Sequence, residues 1–87
     1  MNLSRNNGAE AELTLRYFNG ETTKAIAEAV SPDNFKAPEG LTLTVLHQNT
    51  EIYLRIHCPK GLGSLISTLD DLLSCISAAE KTINSLE

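Results

Sequence analysis

Asp70 and Asp71 are adjacent carboxylates. On a helix, sequence neighbours diverge by about 100°, so the two cannot converge on one reacting atom or one metal ion. They suit a solvated face or an ion pair to a partner. His47 and His57 fall on different extended segments. One neighbours the apolar face of its segment and the other does not, and neither has a Ser or Cys spaced to make a nucleophile–base pair. Lys60-Gly61-Leu62-Gly63-Ser64 has a trace of a phosphate-cradling loop at a helix start. The further glycines and the terminal Lys-Ser or Lys-Thr are missing, so the segment reads as the entry to a helix with Ser64 in its first turn. Lys60 with Arg55 and Arg16 would form a small basic spot beside that terminus, a hint of phosphate contact. Cys58 and Cys75 belong to no CxxC and to no Cys/His cluster of zinc-ligand spacing. One disulfide is arithmetically open to them, but two reduced, buried thiols are expected. No constellation of nucleophile, base and orienting group is readable. The chain is expected to be no enzyme and to carry no cofactor or metal.

These residues sit on five periodic segments. Leu13, Leu15 and Tyr17 alternate with Thr14, Arg16 and Phe18, which is strand period. Asn19 and Gly20 break that strand. From Glu21 to Val30, Thr22, Ala25, Ile26, Ala29 and Val30 follow helical spacing, and Ser31 before Pro32 ends the helix. Leu41, Leu43 and Val45 alternate with Thr42, Thr44 and Leu46. Ile52, Leu54 and Ile56 alternate with Tyr53, Arg55 and His57, and Gln48-Asn49-Thr50 between them suits a tight hairpin. From Leu62 to Leu86, Leu62, Leu65, Ile66, Leu69, Leu72, Leu73, Ile76, Ala79 and Ile83 recur at helical spacing. The order strand, helix, strand, strand, helix predicts a two-layer α+β domain. Its antiparallel three-stranded sheet has order 1-3-2, with both helices on one face. The other face would show Thr14, Arg16, Phe18, Thr42, Thr44, Leu46, Tyr53, Arg55 and His57.

Composition bounds what such a domain can do. The chain has 87 residues, one domain's worth, with residues 11–87 expected to fold and 1–10 to be a flexible N-terminus. Seven Lys and Arg against eleven Asp and Glu give a net charge of −4, the wrong sign for a general nucleic-acid coat. The N-terminal residues are polar, without the apolar stretch of a signal peptide, and no apolar run approaches the roughly 20 residues of a membrane span. A soluble, cytoplasmic chain with no membrane partner is expected. Aromatics are 5 % and Trp is absent, so the core is aliphatic. A domain this small buries only about 60–65 % of its unfolded surface, and association is one common remedy.

Two features predict where partners attach. A three-stranded sheet leaves two unpaired edges, which invite pairing with another chain. In the last helix the apolar positions span roughly 160° of arc, where packing on a sheet needs roughly 100°. The surplus flank is read as Leu65, Leu72, Ala79 and Leu86, spaced by seven, with Thr68 and Cys75 beside them, a spacing that helix–helix seams use. The same flank would serve equally to pack on the first helix of its own chain.

The sequence resembles the Pcc family, the small dimerising subunits of the KEOPS complex. The likeness runs from about Ala11 to Asn84. It rests on the element order in so short a chain, on Ala29-Val30-Ser31-Pro32-Asp33-Asn34 after an alanine-rich helix, and on the long helix opening Gly63-Ser64-Leu65-Ile66-Ser67-Thr68-Leu69-Asp70-Asp71-Leu72-Leu73, similar to the Ser-Leu and Thr-x-Asp-Asp segment of archaeal members. Many members carry an Arg where this chain has Ile66. The resemblance implies a principal subunit or its paralogue, pairing through its sheet as a homodimer or as a heterodimer with a paralogue. Its two helices would dock on helices of the catalytic, sugar-kinase-like subunit. The assembly installs a threonylcarbamoyl group on adenosine in the tRNA anticodon loop, and the chemistry, ATP and metal belong to other subunits. Combined with the widened arc, this makes Leu65, Thr68, Leu72, Cys75 and Ala79, with the small Ala25 and Ala29 opposite, the expected docking residues. Arg16, Arg55 and Lys60 are the expected tRNA contacts, with tRNA otherwise met through the complex. The rival expectation is a stand-alone RNA-binding module that stacks bases on Phe18 and Tyr53, with Arg16 and Arg55 beside them.

Overall fold

The structure, a computed structural model, describes residues 8–32 and 34–86. Its elements are β1 (Ala9–Arg16), α1 (Gly20–Ala29), β2 (Thr42–Gln48), β3 (Glu51–Cys58) and α2 (Leu62–Leu86). The strands form one antiparallel sheet of order β1-β3-β2, with both helices on one face. β3 is central because it alternates most sharply. Ile52, Leu54, Ile56 and Cys58 are all buried beneath the helices, while Glu51 and Arg55 are exposed on the far side. Residues on β1 (Ala11, Leu13, Leu15) and β2 (Leu43, Val45) point to the same layer but are only half-buried. The helix layer is thus centred over β3 and leaves the flanks partly uncovered.

Local chemistry sets the ends of the elements. Asn19 caps α1, its Oδ1 accepting from the Thr22 N–H at 2.8 Å. The β2–β3 hairpin turns on Asn49 and Thr50, with Asn49 at φ 55°, a conformation that Asn tolerates better than most residues. β1 begins at Ala9, earlier than the expected Ala11 boundary. Ala9 pairs with Cys58 and is buried, because β3 is long enough to carry the ladder that far. Gly8 sits at φ 72° against the Cys58 carbonyl, where a Cβ would collide with backbone. Of residues 1–10, expected to be a flexible N-terminus, residues 1–7 lie outside the described residues, as does the turn residue Asp33.

α2 is long and apolar enough to cross a membrane, with mean hydropathy 1.3 over Leu62–Asn84, although no uninterrupted apolar run is present. Here Leu65, Leu72 and Ile76 close the core against the sheet, and Asp70 and Asp71 are exposed at mid-helix. The helix is the lid of a sandwich.

Tyr17, just past β1, ties the strand layer to α2. Its hydroxyl donates to Glu80 Oε2 at 2.8 Å. Burial, reinforced by that carboxylate, pushes the phenol well above its ordinary range. A phenol whose pKa is raised by folding contributes stability that is complete below its unfolded pKa of about 10 and is lost as pH rises past it. Tyr53 is shifted the same way by accepting neighbour Glu12, so the Tyr17 share must be read as a difference. Thermal melts from pH 8 to 11 are expected to show a steeper alkaline loss for the parent than for Tyr17→Phe. Parallel curves would show that the Tyr17–Glu80 bond does not form.

Candidate protein-docking site

The Cys75 Sγ donates to the Ala29 carbonyl at 3.4 Å, and Glu80 holds Tyr17. These two contacts orient α2. The side of Cys75 and Thr68 faces α1, the side of Leu65, Leu72 and Ile76 faces the sheet, and the remaining flank looks outward past β1. At about 100° per residue that outward flank collects Leu62, Ile66, Leu69 and Leu73 within roughly 60° of arc. They are uncovered: Ile66 is 51 % exposed, Leu73 48 % and Leu62 37 %, with Leu69 half-buried. A run of apolar residues at i, i+4, i+7 and i+11 that the chain's own fold leaves open makes this flank the candidate partner surface.

This corrects the expected docking set. Leu65, Thr68 and Leu72 are buried inside the chain, and the Thr68 hydroxyl bonds back to the Ser64 carbonyl at 2.9 Å. Leu65, Thr68 and Leu72 therefore form no outer surface. The side chain of Leu86, the last heptad position, is outside the described residues. Ala25 is exposed, and Ala29, Cys75 and Ala79 are half-buried. These four small residues remain accessible where α1 meets α2. The stripe on the opposite flank was missed, although its i, i+4, i+7, i+11 spacing is visible in the sequence.

The sheet face away from the helices is an ion-pair ladder. Arg16 Nε meets Glu51 at 2.8 Å, Arg55 meets Glu10 at 3.4 Å and Glu12 at 3.9 Å, and His57 Nδ1 lies 3.2 Å from Glu10. The expected basic spot does not assemble. Arg16 sits at the hairpin end of the sheet, opposite Glu51, and Lys60 follows Cys58 at the other end, the length of β3 away. Every guanidinium on this face already has a carboxylate, which leaves little field for a phosphate backbone. Phe18 stands fully exposed in the turn after β1, beside Tyr17, Ile83 and Asn84 rather than beside Tyr53. The two aromatics thus do not share one face as a base-stacking platform would require.

Among the described residues the remaining His, Cys, Asp and Glu side chains are scattered. No group of three or more His, Cys, Asp or Glu side chains could hold a metal ion. Both cysteines are free, Cys58 buried and Cys75 half-buried. Lining a depression of about 480 Å³ beside Tyr17 and Ile83 are Phe18, Asn19, Thr22, Glu80 and Asn84, with no nucleophile and base in register.

The chain is a small two-layer α+β module with one apolar flank of α2 left uncovered. A chain in the crystal structure of the binary complex Gon7–Pcc1 has the same fold, with TM-score 0.76 over 91 % of this chain and 96 % of that one, at 11 % identity. No protein-family model matches the sequence. No curated protein matches it either.

Proposed function

We propose that this chain is a non-catalytic assembly subunit of a KEOPS-type machinery. The observation that carries the reading is the uncovered stripe of Leu62, Ile66 and Leu73 on a fold whose core is otherwise closed. The likeness to a chain of a two-protein complex supports it. On this reading the chain works in the cytoplasm by holding protein subunits together. It pairs with a second copy or a paralogue, and the catalytic, sugar-kinase-like subunit lays a helix into the shallow groove of Ala25, Ala29, Cys75 and Ala79. Threonylcarbamoyl transfer to adenosine of the tRNA anticodon loop belongs to that partner. This chain meets tRNA through the assembly.

The test is co-purification with the catalytic subunit. The parent chain is expected to retain it, and Ala25→Arg, at an exposed position, to weaken binding about 100-fold with an unchanged circular dichroism spectrum, since a bulky charge there blocks close approach. Unchanged binding by the variant would place the docking surface elsewhere. A parent chain that retains no catalytic subunit would sink the reading as a whole.

A further inference from the structure

We propose that the outer edge of β2 receives an extended segment of another protein as a fourth strand, one that carries apolar residues toward the helix layer and a carboxylate beside Lys24 and His47. This edge is separate from the α2 stripe and from the groove of small residues, so its test is separate from the co-purification above.

Backbone geometry selects the docking groups. Tyr17 N–H donates to the Thr50 carbonyl, so even-numbered residues of β3 turn their polar groups toward β1 and odd-numbered ones toward β2. Glu51, Tyr53, Arg55 and His57 pair with Gln48, Leu46, Thr44 and Thr42. The intervening β2 residues, Leu43, Val45 and His47, therefore turn N–H and C=O outward by alternation. Among the described residues, no backbone bond from the 31–41 connection reaches them. Edge strands are usually blunted by proline, lysine, a bulge or a covering loop. β2 reads Thr-Leu-Thr-Val-Leu-His-Gln, and its register with β3 is unbroken from Thr42 to Gln48.

The side chains beside this edge define the occupant. Leu43 and Val45 are half-buried beneath the helix layer, and Leu46 on the open face is 60 % exposed. An added strand would cover all three. Positive charge stands at one end. Gly20 opens α1 beside the Asn49 carbonyl, at the corner where β2 ends. Lys24 is about 6 Å along α1 from that corner, and His47 about 7 Å along β2. α1 packs on β2 and β3, and α2 on β3 and β1. Thr22 and Ala29 face α2, and Lys24 is about 140–160° around the helix from them, so it leans past β2. His47, on the helix side of β2 by alternation, is exposed. Among the described residues, the side chains of Lys24 and His47 have neither ion pair nor hydrogen bond.

A carboxylate on the helix side of the added strand, opposite His47, meets both groups. Glu28 and Glu39 lie toward the far end of β2, which restricts the acidic residue to the hairpin end. β2 itself carries no carboxylate, whereas β1 has Glu10 and Glu12 on its outward-turned residues. An acidic strand is therefore repelled at β1 and accepted at β2. A second copy presenting its own β2 has no carboxylate to offer Lys24, so the occupant is a different chain. Antiparallel pairing, the more stable kind per residue, fixes the order of its residues.

The probe is the capped peptide Thr-Glu-Val-Val-Thr-Val-Thr. In antiparallel pairing its Glu falls opposite His47, and its three Val residues fall opposite Leu46, Val45 and Leu43. Amide spectra of the isotope-labelled chain are expected to show saturable binding below about 1 mM, with the shifts centred on Leu43, Val45 and His47. The same peptide with Lys in place of Glu is expected to bind about tenfold more weakly. Lys24→Glu, at an exposed helix position, is expected to remove or reverse that preference. Val45→Pro, which takes away an outward N–H, is expected to abolish binding of either peptide. Lys24→Glu decides the matter should Val45→Pro fail to fold. No binding below about 1 mM, shifts centred on β1 instead, or a Lys24→Glu chain that keeps the parent's preference overturns the proposal.

Discussion

Leu72→Glu is expected to unfold the chain. Leu72 is fully buried between the sheet and α1, and a carboxylate placed there has no partner among the aliphatic side chains around it. Burying an unpaired charge costs well over the about 3 kcal/mol of an ordinary core lesion. A domain of 87 residues is held by only about 0.05–0.15 kcal/mol per residue. Circular dichroism should show no cooperative melt for the variant, while Leu72→Met, of similar volume, should lose less than about 1.5 kcal/mol. A folded Leu72→Glu chain would mean that Leu72 points outward and that the orientation of α2 is wrong.

Leu54→Ala is expected to lower stability by about 2–5 kcal/mol, through lost transfer energy and the cavity left behind. Leu54 lies at the middle of the central strand, fully buried, paired with Leu13 on one side and Val45 on the other. At about 4–8 °C per kcal/mol for a domain of this size, the melting temperature should fall by at least about 8 °C. Leu46, on β2, is 60 % exposed on the other face, so Leu46→Ala should change stability by no more than about 0.5 kcal/mol. Similar melting temperatures for the two variants would contradict the assignment of faces.

The layers of this fold were legible because β3 announces them. Ile52, Leu54 and Ile56 alternate with polar residues without exception, and Asn49 marks the turn that fixes their register to β2. The start of β1 was less legible, since Ala9-Glu10-Ala11-Glu12 has small apolar residues with little hydrophobic contrast. It is β3, reaching Cys58, that draws those residues into the sheet. The docking surface divided in the same way. Periodicity revealed that α2 has more apolar arc than one sheet can cover, but an arc has two flanks. Which flank stays open depends on where α1 lands after its crossover, a tertiary fact absent from the helix itself. α1 covers Thr68 and Cys75, so the open side carries Leu62, Ile66 and Leu73. The basic spot failed for a related reason. Arg16, Arg55 and Lys60 share a sign, but strand register separates their positions and supplies two of them with carboxylates.

The sheet order also sets a sequence in time. β2 and β3 are joined by two residues and can zip as soon as both exist, since closing a short loop costs little entropy. β1 precedes them in the chain, yet among the described residues it pairs with β3 alone, and Ala9 must find Cys58 across the whole of α1 and the hairpin. During synthesis β1 therefore leaves the ribosome with both of its edges bare and waits until β3 has been made. Such distant pairings form late and slow folding. Both β1 and β2 end as edge strands of the described sheet, but only β1 spends the synthesis of the whole helix and hairpin without the strand it pairs with.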